Sequence, residues 1–159
     1  MDSLIRFAAD GVLIFIIVIG TALGLRGINW RQWRVVVPFG IMAGMTSLLA
    51  GKLLSLVYQP SSLRPFMEYG AQAGAAYIDN PGFPSDHMLL ATVITIAVYF
   101  MTPYKKTAVI LMVLACVMGV ARVAALVHTP LDIVGGIVAG LAGAIWYIQM
   151  KGSNNSIEQ

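Results

Sequence analysis

Two histidines occur in the chain, His87 and His128, and each has neighbours that suit acid–base or nucleophilic chemistry. His128 is followed four residues later by Asp132, so on a helix the two share one face. A carboxylate in that place accepts the imidazole Nδ1 proton, sets the tautomer and leaves Nε2 free as nucleophile or base. Taken alone, the pair equally suits a structural helix start, with Pro130 in the first turn. His87 closes the run Pro84-Ser85-Asp86-His87. Ser85 fits an N-cap, and the backbone N–H groups behind it form an anion site with the positive end of the helix dipole. A histidine there can protonate an anionic leaving group; alone, the run is also an ordinary cap with an interfacial histidine.

Lys52, Arg64 and Arg122 add three cations. Singly, Lys52 fits a snorkelling side chain, Arg64 a contact to lipid phosphates, and Arg122 a pair with a helix-end carbonyl or Glu68. Together with two imidazoles they describe a phosphate site, since Arg matches phosphate bidentately and Lys acts as a point charge. The same cations oppose a divalent metal on the two histidines and nearby Asp residues. Neither a metal nor another cofactor is expected.

These groups need elements to carry them. Hydrophobic residues make up 58% of the 159 and charged residues 11%, with mean hydropathy +0.82. Soluble domains carry about 25% charged residues, so a soluble monomer and a disordered chain are both excluded. The net charge of +3 comes from ten scattered Lys and Arg residues, not a patch, which argues against nucleic acid. The single cysteine, Cys116, leaves the redox compartment unread. An integral membrane protein remains. Five segments approach the roughly 20 apolar residues that a spanning helix needs: Leu4–Leu25, Val35–Val57, Asp86–Thr102, Thr107–Val127 and Pro130–Met150. They predict an all-α polytopic bundle of about five transmembrane helices. Residues 1–150 are expected to form one membrane-embedded domain, and 151–159 a flexible polar tail. The first segment lacks a basic start and a cleavage site, so it reads as a retained helix. Within the long connection 58–85, Phe66–Tyr77 is expected to form a short interfacial helix.

Arg26, Arg31, Arg34, Lys105, Lys106 and Lys151 all fall on one side of such a bundle, which should be the cytoplasm. The amino terminus is then outside and the carboxy terminus inside. Trp30, Trp33, Tyr104, Trp146 and Tyr147 lie near the same inner boundary, as an aromatic belt would. The topology also gathers Lys52, Arg64, His87, Arg122, His128 and Asp132 at the outer face. Gly136, Gly140 and Gly143 continue the His128–Asp132 face, and small residues at that spacing let helices pack closely in membranes.

The chain resembles the type 2 phosphatidate phosphatase family, membrane relatives of acid phosphatases and vanadium haloperoxidases. The family motifs are Lys-x6-Arg-Pro, Pro-Ser-Gly-His and Ser-Arg-x5-His-x3-Asp. The third reads here Ala121-Arg122, His128 and Asp132; the second Pro84-Ser85-Asp86-His87; the first is represented by Lys52 and Arg64-Pro65. The resemblance covers about residues 45–140. It implies a metal-independent, two-step phosphoryl transfer. His128 would form a phosphohistidine, Asp132 would orient it, and His87 would protonate the leaving oxygen and then activate water. Lys52, Arg64, Arg122 and Ser85 would hold the phosphate. Three departures stand out. Gln59-Pro60 occupies the usual first-motif spacing, although Arg64 is the better cation. Ala121 replaces a serine, removing one phosphate hydrogen bond. Asp86 replaces glycine, and the run Phe83–His87 is similar to bacterial undecaprenyl pyrophosphate phosphatases within the family, with Asp86 expected to tune His87 or a cation.

The expected function is therefore hydrolysis of undecaprenyl or another polyprenyl diphosphate at the outer face of a bacterial cytoplasmic membrane. Phosphatidate or phosphatidylglycerophosphate phosphatase is the alternative, and a weakly active headgroup-binding or transport protein the alternative of another class. The family's six helices imply that an amino-terminal one is absent here, and a homodimer would cover the exposed face.

Overall fold

The structure is a computed structural model that describes residues 2–58 and 64–157. Its elements are helices, with no strand among the described residues. They are α1 (Ser3–Gly27), α2 (Trp30–Val57), a single turn α3 (Pro65–Glu68), α4 (Asp86–Met101), α5 (Lys105–Ala124), α6 (Pro130–Ala142) and α7 (Ala144–Ile157). Helix α1 includes a widened π-helical turn at Phe7–Gly11. Helices α1, α2 and α5 and the combined run Pro130–Met150 are long and apolar enough to cross a membrane. The fifth expected span, α4, has 16 residues, or about 24 Å at 1.5 Å per residue.

Helix α4 forms the centre of the bundle. It packs against α1, α2, α5, α6 and α7 and buries Met88, Leu89, Ala91, Thr92, Thr95, Ile96 and Val98. Ile16 of α1 and Leu111, Ala115 and Met118 of α5 complete that core. Outside it, Ile14, Val18, Leu49, Ile110, Val113, Val120, Val134 and Val138 stand exposed. This much apolar surface suits lipid, not water.

Local signals set the ends. Asn29 and Gln32 form a capping box that starts α2, and Thr129 and Asp132 form another at α6, with Pro130 in the first helical position. The glycine face of α6 does what its spacing predicts. A Cβ on Gly136 would lie 2.6 Å from the Ser85 carbonyl oxygen, so α4 and α6 approach backbone to backbone. Ser47 of α2 donates to the Gly140 carbonyl over 3.0 Å and ties α2 to the same helix.

Several boundaries differ from expectation. The connecting segment is helical only at Pro65–Glu68, not through Tyr77, because Gly70 takes a left-handed φ of +62° and ends the turn. Helix α5 stops at Ala124 because Leu126 turns the chain with φ 58°. At the far end α7 continues through Ile157. Gln59 lies outside the described residues.

Candidate active site

The turn between α5 and α6 delivers His128. Its side chain is buried, 4% exposed, and Nδ1 lies 3.2 Å from Asp132 Oδ2. The same carboxylate oxygen accepts the Thr129 N–H over 2.8 Å, while the Asp132 N–H donates to Thr129 Oγ1. The carboxylate is thus held by its own helix start before it meets the imidazole. With the proton on Nδ1, Nε2 is free to attack. Burial lowers the His128 pKa; the hydrogen bond to Asp132 opposes this, and the charges of Arg122 and Arg64 reinforce it.

The start of α4 docks against this turn. The Ser85 N–H donates to the Asp132 carbonyl over 2.9 Å. Ser85 occupies the N-cap position as its sequence predicts, yet its hydroxyl makes no capping bond. That hydroxyl is fully buried and has no partner. Two residues on, half-buried His87 lies within electrostatic reach of Arg122 and His128.

Both arginines are buried, and each bonds to the connection between α2 and α4. Arg64 Nη1 donates to the Val127 carbonyl over 2.6 Å, and Nη2 to the Ile78 carbonyl and Asn80 Oδ1 over 2.8 and 2.6 Å. Asn80 Oδ1 also accepts the Gly82 N–H. Gly82 sits at φ +91°, where a side chain would be strained, and packs on the guanidinium. The Tyr77 ring faces the Arg64 charge at 5.4 Å. Burial lowers the Arg64 pKa, and the carboxylates of Asp132 and Asp86 oppose it.

Arg122, 1% exposed, donates from Nη1 to Asp10 Oδ1 over 3.1 Å and to the Ala9 carbonyl over 3.3 Å, and from Nη2 to the Ala76 carbonyl over 2.9 Å. Its charged partner is Asp10 and not Glu68. A signal was present: an aspartate inside an apolar span needs a cation or a polar cavity. The Nε atoms of both arginines are buried without partners.

Lys52 and Asp86 are exposed and stand beside this cluster, lining a cavity of about 370 Å³ with Asn80, Pro81, Phe83 and Pro84. Ala121 packs in an apolar cluster with Ala9, Phe66, Ala75 and Val127. No group of three His, Cys, Asp or Glu among the described residues could hold a metal. The arrangement fits an anion instead. Arg64 Nε, Ser85 Oγ and Arg122 Nε are three buried polar groups awaiting an acceptor, and leaving such groups unmatched is costly.

Residues 33–156 match the PAP2 superfamily. The chain belongs to that superfamily. The PAP2 match begins within α2 and leaves α1 outside it. Among PAP2-like relatives, the bacitracin transport permease protein BcrC of Bacillus licheniformis is 28% identical over 153 residues, covering 92% of this chain and 70% of its own. The undecaprenyl-diphosphatase BcrC of Bacillus subtilis (strain 168) is 28% identical over 142 residues, 89% of this chain and 70% of its own. YbjG of Escherichia coli (strain K12) is 31% identical over 147 residues, 91% and 71%. No solved structure matches significantly.

Proposed function

We propose that this PAP2 protein is a multi-pass membrane phosphatase that hydrolyses undecaprenyl or a similar polyprenyl diphosphate to the monophosphate. The observation that carries the reading is the buried His128–Asp132 pair beside three partnerless donors on Arg64, Ser85 and Arg122. The name of the Bacillus subtilis relative supplies the substrate class.

In the first step His128 Nε2 attacks the terminal phosphorus. The bond from that phosphorus to the bridging oxygen breaks, and protonated His87 gives its proton to the departing polyprenyl monophosphate. In the second, His87 takes a proton from water, the hydroxide attacks the phosphohistidine, and the P–N bond breaks to release inorganic phosphate. Arg64, Arg122 and Ser85 stabilise the equatorial oxygens, where charge gathers during phosphoryl transfer. Lys52 and Asp86, at the adjoining cavity, meet the second phosphate and help select a diphosphate. Neither a metal nor a cofactor takes part.

The site faces the outside of a bacterial cytoplasmic membrane in this reading. It lies at the end of the bundle opposite the basic connections that carry Arg26, Arg31, Arg34, Lys105 and Lys106, whose Gly27 and Thr102–Tyr104 segments meet.

Phosphate release by the purified protein in detergent with EDTA tests the chemistry, with undecaprenyl diphosphate and phosphatidate as parallel substrates. Faster release from the diphosphate is expected. Preference for phosphatidate would move the assignment to a glycerolipid phosphatase, and a need for added divalent metal would overturn the phosphohistidine. Binding of either lipid without release would favour headgroup binding or transport. Single cysteines at Gln72 and Asn154, in a Cys116→Ser background because Cys116 is exposed, should label from the outside and inside respectively. The reverse pattern would put the site in the cytoplasm.

A further inference from the structure

Asp10 lies outside the part of the chain that matches the superfamily, and the catalytic steps above do not use it. It sits in the π-helical turn Phe7–Gly11, the one widened turn among the described helices. Such turns insert a residue into the helical ladder and redirect the side chains they carry. This one packs against α5. Its two carboxylate oxygens divide their work. Oδ1 accepts from Arg122 Nη1 over 3.1 Å, and Oδ2 accepts the Ala76 N–H over 3.0 Å. The Ala76 carbonyl in turn accepts from Arg122 Nη2 over 2.9 Å. Asp10, Arg122 and Ala76 therefore close a ring of hydrogen bonds that engages both terminal nitrogens of the guanidinium, while the buried Nε has no partner among the described residues.

The ring reaches further through the chain. Two residues beyond Ala76, the Ile78 carbonyl accepts from Arg64 Nη2, and Asn80 accepts from the same nitrogen. The segment 76–80 is thus a strap held by Arg122 at one end and Arg64 at the other, and Asp10 pins its start to α1. Nothing else among the described contacts joins α1 to this strap by a side-chain hydrogen bond.

We infer that Asp10 is a positioning residue for the phosphate site: through Arg122 Nη1 and the Ala76 N–H it holds the guanidinium and the strap so that Arg122 Nε faces a phosphate oxygen. The inference rests on the hydrolase reading for its readout of turnover, but the positioning itself does not require turnover. Two carbonyls alone cannot do the same work. They take up the guanidinium protons but carry no full charge, and an arginine this buried needs one. A carboxylate supplies the charge and the second contact to the strap together.

The test uses full-length protein in detergent with the variants Asp10→Ala, Asp10→Asn, Arg122→Lys and the double variant Asp10→Ala/Arg122→Lys. Asp10→Ala should lower kcat for polyprenyl diphosphate by about 10- to 100-fold, which is about 1.4 to 2.7 kcal/mol at 1.36 kcal/mol per tenfold. Asp10→Asn, whose amide oxygen can still accept from Arg122, should recover part of that loss. The double variant should be little worse than Arg122→Lys, because residues acting through one another are not additive. Unchanged kcat in Asp10→Ala, or a double variant showing the product of the two single losses, would overturn the inference.

A merely structural Asp10 would lower the melting temperature and the folded yield while leaving kcat of the folded protein unchanged. Side-chain NMR of the arginine Nε–H groups gives a second measurement free of turnover. In the wild-type protein the Arg122 Nε–H resonance should shift on adding inorganic phosphate, and in Asp10→Ala it should not. A shift of equal size in both proteins would overturn the inference. If the wild-type protein shows this shift yet releases no phosphate, the hydrolase reading falls and the positioning role stands.

Discussion

The Ser85 backbone N–H donates to the Asp132 backbone carbonyl over 2.9 Å, joining the first turns of α4 and α6. Each helix start carries one histidine of the site, His87 on α4 and His128 just before α6. The bond holds the two helix starts together through backbone atoms, and in the proposed mechanism these starts carry the proton donor and the nucleophile. It exists because Gly136 lets the two backbones approach.

Gly136→Ala should separate them. The added Cβ would lie 2.6 Å from the Ser85 carbonyl and 2.8 Å from Met88 Cβ, an overpacking that costs about 1–3 kcal/mol. Lower thermal stability in detergent and a kcat reduced at least about tenfold are expected. Gly44→Ala on α2 is the control, because a Cβ there meets nothing within 4 Å and helix propensity favours alanine by about 0.5–1 kcal/mol. Equal effects of the two substitutions would contradict the close-approach argument.

Removing the nucleophile should abolish turnover while preserving the bundle. For His128→Ala a loss of at least about 10⁴-fold in phosphate release is expected, of the size seen when a covalent nucleophile is deleted. Asp132→Asn keeps the shape of the helix start but weakens the orientation of the imidazole, and about a hundredfold loss is expected. Near-normal turnover by His128→Ala would end the phosphohistidine mechanism.

The pH profile follows from the sign of the His128 shift. Burial holds its folded-state pKa below the ordinary value of about 6.5, with the Asp132 hydrogen bond opposing and the Arg122 and Arg64 charges assisting. Nε2 must be neutral to attack, so the acid limb of kcat/KM should lie below pH about 6.5. Arg64→Gln removes one of those cations and should move that limb upward. The stability sign is the same. Between the folded and unfolded pKa values the unfolded chain binds more protons, so stability from this residue is complete above pH about 6.5 and declines as the pH falls through that window. A wild-type limb above this value would show that His128 is not the titrating nucleophile.

Asn80 offers a test of the Arg64 grip at a residue outside the reacting groups. Its Oδ1 accepts from both Arg64 Nη2 and the Gly82 N–H. Asn80→Ala leaves both donors short of an acceptor, at about 1–3 kcal/mol, and should lower kcat/KM by about 5- to 100-fold. Asn80→Asp, which restores an acceptor, should recover part of it. If both variants match the wild type in kinetics, the grip on Arg64 does not matter to the site.

Much of the bundle was legible in one dimension. Apolar runs of spanning length located the helices, since a bilayer allows few other structures for such segments. The i,i+4 spacing of His128 and Asp132 already implied their contact, and the glycines at 136 and 140 implied the face that packs. These are local relationships, set by helical period and composition.

The tertiary structure alone decided the partners of the buried charges. Asp10 and Arg122 are 112 residues apart and Arg64 and Val127 are 63 apart; no period or propensity connects them. Which carboxylate answers a buried arginine depends on how α1, α5 and the connection between α2 and α4 pack. The sequence alone determined that so few charges in so apolar a chain each require a partner. The packing determined which partner, because charge pairing acts through space and its cost in a low-dielectric interior is settled only when the helices meet.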